Sequence, residues 1–219
     1  MVSFYSHLHA KNLSSNRGAR NKIGGMAVGH CKMLAMQRVT IMTYPAPVLR
    51  KKALTVERIT PETRAFLAAM ADAMYDDNGV GLAAPQVGVS LRMIVVDADD
   101  RLQPLINPQI VAREGTQTGT EGCLSLPKLY GKVTRAMRVE IRGFNERGKP
   151  VTLSGEGLWA RAMQHEIDHL EGQLFIDHAD PASLVWITGD KDEDGNLLER
   201  PTTLEDALHV FERQTLVRA

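Results

Sequence analysis

At 219 residues and 24.2 kDa the chain is long enough to bury a core without disulfide staples, and its 43% hydrophobic and 24% charged residues are an ordinary globular balance. Lys plus Arg and Asp plus Glu number 26 each, which removes any overall electrostatic case for a membrane-surface or nucleic-acid binder, specific DNA included. Two cysteines are too few for a disulfide framework, and no apolar run approaches the roughly 20 residues that cross a bilayer, so the expectation is a cytoplasmic protein with no membrane partner, acting through a local site.

Residues 1–38 carry Lys11, Arg17, Arg20, Lys22, Lys32 and Arg38, with no acid before Glu57. With Ser, Asn and Gly between them, they predict a basic, disordered extension. An organellar transit peptide has this composition, but no long amphipathic face is evident, and a start at Met26, Met33 or Met36 is the favoured explanation. Cys31 falls here and is read as incidental.

From Val39 the pattern changes. Val39-Thr40-Ile41-Met42 followed by Tyr44-Pro45-Ala46-Pro47 reads as extended, since the prolines prevent helix. Thr60-Pro61-Glu62 supplies an N-cap, a first-turn proline and an acid; Phe66, Leu67, Met70, Ala73 and Met74 recur at helical spacing until Asn78-Gly79. The small-residue run Gly79-Val80-Gly81-Leu82-Ala83-Ala84-Pro85-Gln86 has neither the dinucleotide nor the P-loop spacing. It suits close backbone approach to a ligand, with the Gln86 amide free to donate into a site.

Leu91-Arg92-Met93-Ile94-Val95-Val96-Asp97 reads as a buried strand, and residues 104–111 as another extended piece. Val133, Met137, Val139 and Ile141 alternate with Arg138, Glu140 and Arg142, predicting one half-buried strand; after the Asn145-Glu146-Arg147-Gly148 turn, residues 151–153 form its hairpin partner. A helix predicted from near Glu156 to Gly172 is apolar over much of its circumference and belongs in the core. The fold class is therefore α+β, with short antiparallel sheets packed around a central helix. Residues 39–178 are expected to be the catalytic domain. Residues 179–219 form an acidic extension in which Leu204, Leu208 and Phe211 predict a short helix. Asp190, Asp192, Asp194 and Gly195 match the first half of a calcium-binding loop, but Pro201 occupies the position of its last ligand.

The central helix carries the chemistry. Gln164-His165-Glu166-Ile167-Asp168-His169-Leu170 puts two imidazoles one turn apart on one face, able to share a metal, with Glu166 near the same face as a base. The pattern also occurs in ordinary amphipathic helices, so a third ligand is needed. The extended protease motif would place a histidine at position 175, which is Phe175. Glu193, Glu199 and Glu205 remain as distant acids. Upstream, Cys123 in Glu121-Gly122-Cys123-Leu124-Ser125 is either a small buried hydrophobe or a thiolate ligand. Spacing alone leaves both open.

Taken in order, the stretches 79–86, 121–125 and 164–169 resemble the three signature motifs of peptide deformylases, and the similarity runs from about Val39 to about Asp177. With no large insertion between the first two motifs, the chain is similar to the shorter bacterial type. The resemblance implies a metal-dependent hydrolase that removes the formyl group from the initiator methionine of new polypeptides and releases formate. It implies that Cys123, His165 and His169 hold one divalent metal ion, usually Fe(II), with zinc, nickel or cobalt as substitutes. Glu166 would be the acid/base, and Gln86 and the Leu124 backbone N–H would bind the oxyanion. Gly81 would position the peptide as an added strand, with Val80 and Leu158 lining the methionine pocket, and Asp168 and Ser125 would orient the ligands. Its partners would be N-formylmethionyl nascent peptides, with transient ribosome contact. Residues 180–219 hold nine acids against four bases, so a ribosomal grip there is doubtful, and the basic residues 1–38 could substitute. The alternatives are a catalytically silent relative that binds nascent chains or the ribosome, and a zinc endopeptidase indifferent to Cys123.

Overall fold

The computed structural model describes residues 39–98 and 100–218, with side chains up to residue 214 of the last helix. The basic N-terminal segment and Cys31 lie outside the described residues.

The first helix, α1 (Pro61–Asp76), starts as its sequence demands. The Thr60 side chain accepts from the Thr63 backbone N–H, Pro61 opens the first turn, and Asn78 takes φ 54° just beyond the end. Its buried face of Phe66, Leu67, Met70, Ala71 and Met74 packs on β1 (Gly81–Ala83) and β2 (Met93–Val96). β2 is buried at every position, as its unbroken apolar run predicts. Beside it run β3 (Gln103–Glu114), β6 (Arg138–Phe144) and β7 (Pro150–Glu156), giving a five-stranded antiparallel sheet of order β1-β2-β3-β6-β7. A second antiparallel sheet contains β4 (Gln117–Cys123), β5 (Leu126–Arg135), β8 (Val185–Lys191) and β9 (Leu197–Pro201) in that order.

Between them lies α2 (Gly157–Leu170). Trp159, Ala160, Ala162, Met163, Ile167 and Leu170 share one apolar cluster with Val96, Leu105, Val139 and Ile141 of the larger sheet. On the other side, Leu126, Leu129 and Val133 of the smaller sheet pack with Phe175, Leu184 and Phe211. Gly172 ends the helical segment with φ 75°, and a Cβ there would lie 2.9 Å from the Arg50 carbonyl carbon, so both conformation and space require glycine.

One strand expectation needs correction. The alternation across residues 133–142 is not one strand: Val133 lies in β5, Val139 and Ile141 lie in β6 of the other sheet, and Met137 between them is exposed. Polar–apolar alternation continues through the connecting turn, so periodicity carries no sign of the change of sheet. Within the acidic extension, residues 185–201 form the β8–β9 hairpin. Its tip is an Asx turn, in which Asp192 accepts from the backbone N–H groups of Asp194 and Asn196, and this local bonding accounts for the acid that mimics a calcium loop.

The expected C-terminal helix is α3 (Leu204–Arg218), docked through buried Ala207 and Phe211. Phe211 meets Trp186 at 5.4 Å and Tyr44 at 6.4 Å between ring centroids. Phe211→Ala should cost about 3–5 kcal/mol of unfolding free energy, as truncation of a buried aromatic does. Urea unfolding of the full chain checks this, and an unchanged midpoint would show that α3 contributes nothing to the core.

Candidate metal centre

α2 is buried on nearly its whole circumference, so its polar residues face protein, not water. His165 and His169, one turn apart, have ring centroids 5.0 Å apart, and Phe175 stacks on the outer face of His165. The absent downstream histidine is thus replaced by a packing residue. Cys123 ends β4 where the ladder to β5 breaks register between Gly122 and Cys123, and the irregularity turns the thiol toward α2. Its Sγ lies 3.3 Å from His169 Nε2, and ligand atoms of Cys123, His165 and His169 all fall within 4.8 Å of one another. Glu193, Glu199 and Glu205 are exposed on the C-terminal hairpin and helix and have no part in this group.

Among the described residues, three buried atoms here have no hydrogen-bond partner: His165 Nε2, His169 Nδ1 and Glu166 Oε2. An unsatisfied buried polar atom costs about 1–3 kcal/mol, so the unpartnered His165 Nε2 and Glu166 Oε2 call for a further occupant. Two imidazoles and a thiol at this separation fit a divalent cation that prefers nitrogen and sulfur, with a coordination position left for water or substrate. Burial alone would push the Cys123 thiol up, but His169 and His165 outweigh it and hold the group well below its usual value. Burial opposes charge on His165 as well, yet Cys123 and Glu121 raise it to about 10. A cation entering between thiolate and imidazolium would displace that proton.

The other expected residues surround this group. Glu166 is buried beneath β1, where a Cβ on Gly81 would fall 2.4 Å from its Oε1, so glycine leaves room for the carboxylate. Burial raises the Glu166 carboxyl above its ordinary value against the pull of both histidines. Gln86 Oε1 accepts from the Ala83 backbone N–H at 2.8 Å, aiming Nε2 at Cys123 Sγ (3.5 Å) and Ser125 Oγ (3.4 Å). Leu124 is half-buried beside the thiol at a cavity of 390 Å³ also lined by Ile41, Thr43 and Lys128. Val80 and Leu158 each pack against the α2 apolar cluster, and Leu158 also lines a second cavity of about 380 Å³.

Sequence reasoning missed the charges behind the ligands. Glu121, with no exposed surface, accepts from Arg135 Nη2 and Nε (2.9 Å each) and Arg161 Nη1 (2.7 Å), and its Oε2 meets His165 Nδ1 at 3.0 Å. Arg135 also pairs with Asp168, which makes Asp168 a partner of this network. Burial raises the Glu121 carboxyl, but His165 and Arg135 override it and keep it well below the usual carboxylate range. The visible signal was Arg161 itself, a single charge inside the apolar run Trp159-Ala160-Arg161-Ala162-Met163.

Comparison with known proteins is consistent throughout. Residues 39–184 match the family model described as Polypeptide deformylase. The chain is 50% identical over 143 residues to the peptide deformylase of Desulfitobacterium hafniense, an alignment covering 65% of this chain and 95% of that one. The peptide deformylase of Thermotoga maritima superposes with TM-score 0.65 at 39% identity, over 66% of this chain and 99% of that one. A Synechococcus elongatus peptide deformylase in complex with actinonin gives 0.64 at 39% identity, over 66% and 83%. The matched span takes in all three motifs and every residue of the buried Cys-His-His group, and the chain belongs to the polypeptide deformylase family, metal-dependent hydrolases that remove the N-formyl group from newly made polypeptides.

Proposed function

We propose that this chain carries out the family's reaction with Cys123, His165 and His169 as ligands of one divalent cation, Fe(II) in its native form. The observation that carries the ligand assignment is the clustering of the buried Cys123 thiol with one nitrogen each of the buried His165 and His169, all within 4.8 Å of one another. A thiolate with two imidazoles also accepts zinc, nickel or cobalt, and the family resemblance favours Fe(II) among them. When bound, the cation supplies Lewis acidity to the attacking water and the formyl carbonyl.

The side chains do the rest. Glu166, unpaired at Oε2, takes the proton of the water that attacks the formyl carbon and then delivers it to the departing amine nitrogen. Gln86 Nε2 and the Leu124 backbone N–H donate to the charge that develops on the formyl oxygen. Because Gln86 is already fixed by Ala83, no reorganisation is needed at the moment of reaction. Gly81 lies on β1, the edge strand of its sheet, whose free edge takes the peptide backbone as an added strand, while Val80 and Leu158 receive the methionine side chain. The substrates are N-formylmethionyl nascent peptides, met in the cytoplasm in transient contact with the ribosome. A silent relative would have lost the acid or a ligand, and Cys123, His165, Glu166 and His169 are all in place.

Protein purified without oxygen should release formate from a formyl-Met peptide and leave the acetyl peptide intact. Glu166→Ala should retain one metal per chain and lose about 10²–10⁴ in kcat, whereas Cys123→Ser should lose metal; no formate from metal-loaded protein would reject the reading. Gln86→Ala should lower kcat by about 10²–10³ with KM nearly constant, and a change confined to KM would place Gln86 in binding alone. Gly81→Ala pushes on Glu166 directly, so turnover should drop while metal content holds. Full activity of that variant would show that Glu166 does not need its observed position.

A further inference from the structure

We propose that Arg161 is a positioning residue for the metal site, fixing the angle of His165 through Glu121 and the distance between the two ligand-bearing elements through backbone carbonyls. This rests on the ligand assignment above.

Arg161 is 2% exposed and sits one helical turn before His165. One nitrogen, Nη1, reaches Glu121 Oε1 at 2.7 Å and Val133 O at 3.0 Å, and lies 3.4 Å from Gly119 O; Nη2 lies 3.3 Å from Gln117 O. These acceptors belong to β4 and β5, the hairpin that ends at Cys123. α2 itself packs chiefly on β1, β2 and β7 of the other sheet, so the hairpin is tied to the histidine helix by side chains. The guanidinium is the tie that touches both strands at once. β4 makes room for it at Gly119, where a Cβ would fall 3.2 Å from Arg161 Nη2.

Charge balance gives the same answer. Glu121 and Asp168 carry two negative charges, and Arg135, which binds both, neutralises one. Arg161 supplies the second positive charge of the buried cluster. With Oε1 held by Arg135 and Arg161, Glu121 keeps Oε2 on His165 Nδ1 and leaves Nε2 directed at the ligand point. A planar fork with several donors performs this task, and a lysine ammonium retains only the charge.

The test uses full-length protein loaded with Co(II) as the probe, following thiolate-to-cobalt absorption and the rate of Co(II) loss to a chelator. Arg161→Met should accelerate Co(II) loss by about 10–100-fold, in line with the usual effect of removing a group that orients a ligand, and should alter the absorption bands. Arg161→Lys should recover only part of the difference. Asn107→Ala removes a paired side chain remote from the site, bonded to Val56; it should lower the urea midpoint without changing Co(II) release. Gly119→Ala presses on the guanidinium more gently and should speed release in the native background but not beside Arg161→Met, which keeps the test open if Arg161→Met fails to fold. Unchanged release in a folded Arg161→Met protein, or equal acceleration in Asn107→Ala, would overturn the proposal. Absence of the thiolate band in the unsubstituted protein, or its survival in Cys123→Ser, would instead overturn the ligand assignment.

Discussion

Glu121 is a carboxylate with no exposed surface, placed between two guanidinium groups and an imidazole, and the arrangement of this molecule depends on keeping it paired. An unpaired buried charge is far more costly than a lost hydrogen bond, and removing one partner of such a group typically costs about 3–5 kcal/mol. The three partners come from two elements: Arg135 from β5, Arg161 and His165 from α2. Satisfying the charge therefore fixes the helix against the small sheet in one relative position. An apolar contact at the same place would tolerate sliding, because hydrophobic burial is non-directional. Hydrogen-bonded charges do not slide, and a site that needs three ligand atoms at one point requires that rigidity.

The same constraint explains why α2 is sandwiched between sheets. A helix with both an apolar stripe and a row of histidine, glutamate and arginine side chains cannot present either to water without loss of core or of site. The larger sheet takes the apolar stripe, through Val96, Leu105, Val139 and Ile141. The smaller sheet takes Arg161 and His165 through Glu121 and brings Cys123 to His169, while Glu166 lies beneath β1 of the larger one. A bare β4–β5 hairpin would be marginal alone, since two strands bury too little to hold their own geometry. β8 pairs with β5 at Leu129 and Tyr130, and α3 closes the cluster beneath through Phe211. The family match ends at residue 184, so this bracing comes from residues beyond it.

Much of this was legible in the chain. The Thr60-Pro61 start of α1, the buried run of β2, the central helix with its terminal glycine and the His-Glu-x-x-His face all have local causes, and local causes are written in consecutive residues. Cys123 as the proposed third ligand was not, because nothing in spacing joins position 123 to position 165; the resemblance to known motifs supplied it. The change of sheet at Ala136 and Met137 was hidden because alternation reports only which side of a strand faces the core. Arg161 was visible as an anomaly in an apolar run, yet its partner lies 40 residues away. Long-range charge pairing leaves no periodic trace, and the residues behind the ligands are therefore the part that only the fold reveals.

A free strand edge is ordinarily a hazard, because unpaired N–H and C=O groups recruit other chains. Here both sheets end in such an edge near the site, β1 in one and β4 in the other. β1 is only three residues long and its first residue is Gly81, which limits the surface available for indiscriminate pairing. Glycine at that point is also dictated from below, by Glu166. Under the proposed mechanism two requirements converge on one residue: a side chain at Gly81 would displace Glu166, and a longer strand would offer more of the backbone edge than a short peptide terminus needs. The strand is short and packs on α2 beneath it, and these two properties suit an edge to the proposed role of binding surface for one extended chain end.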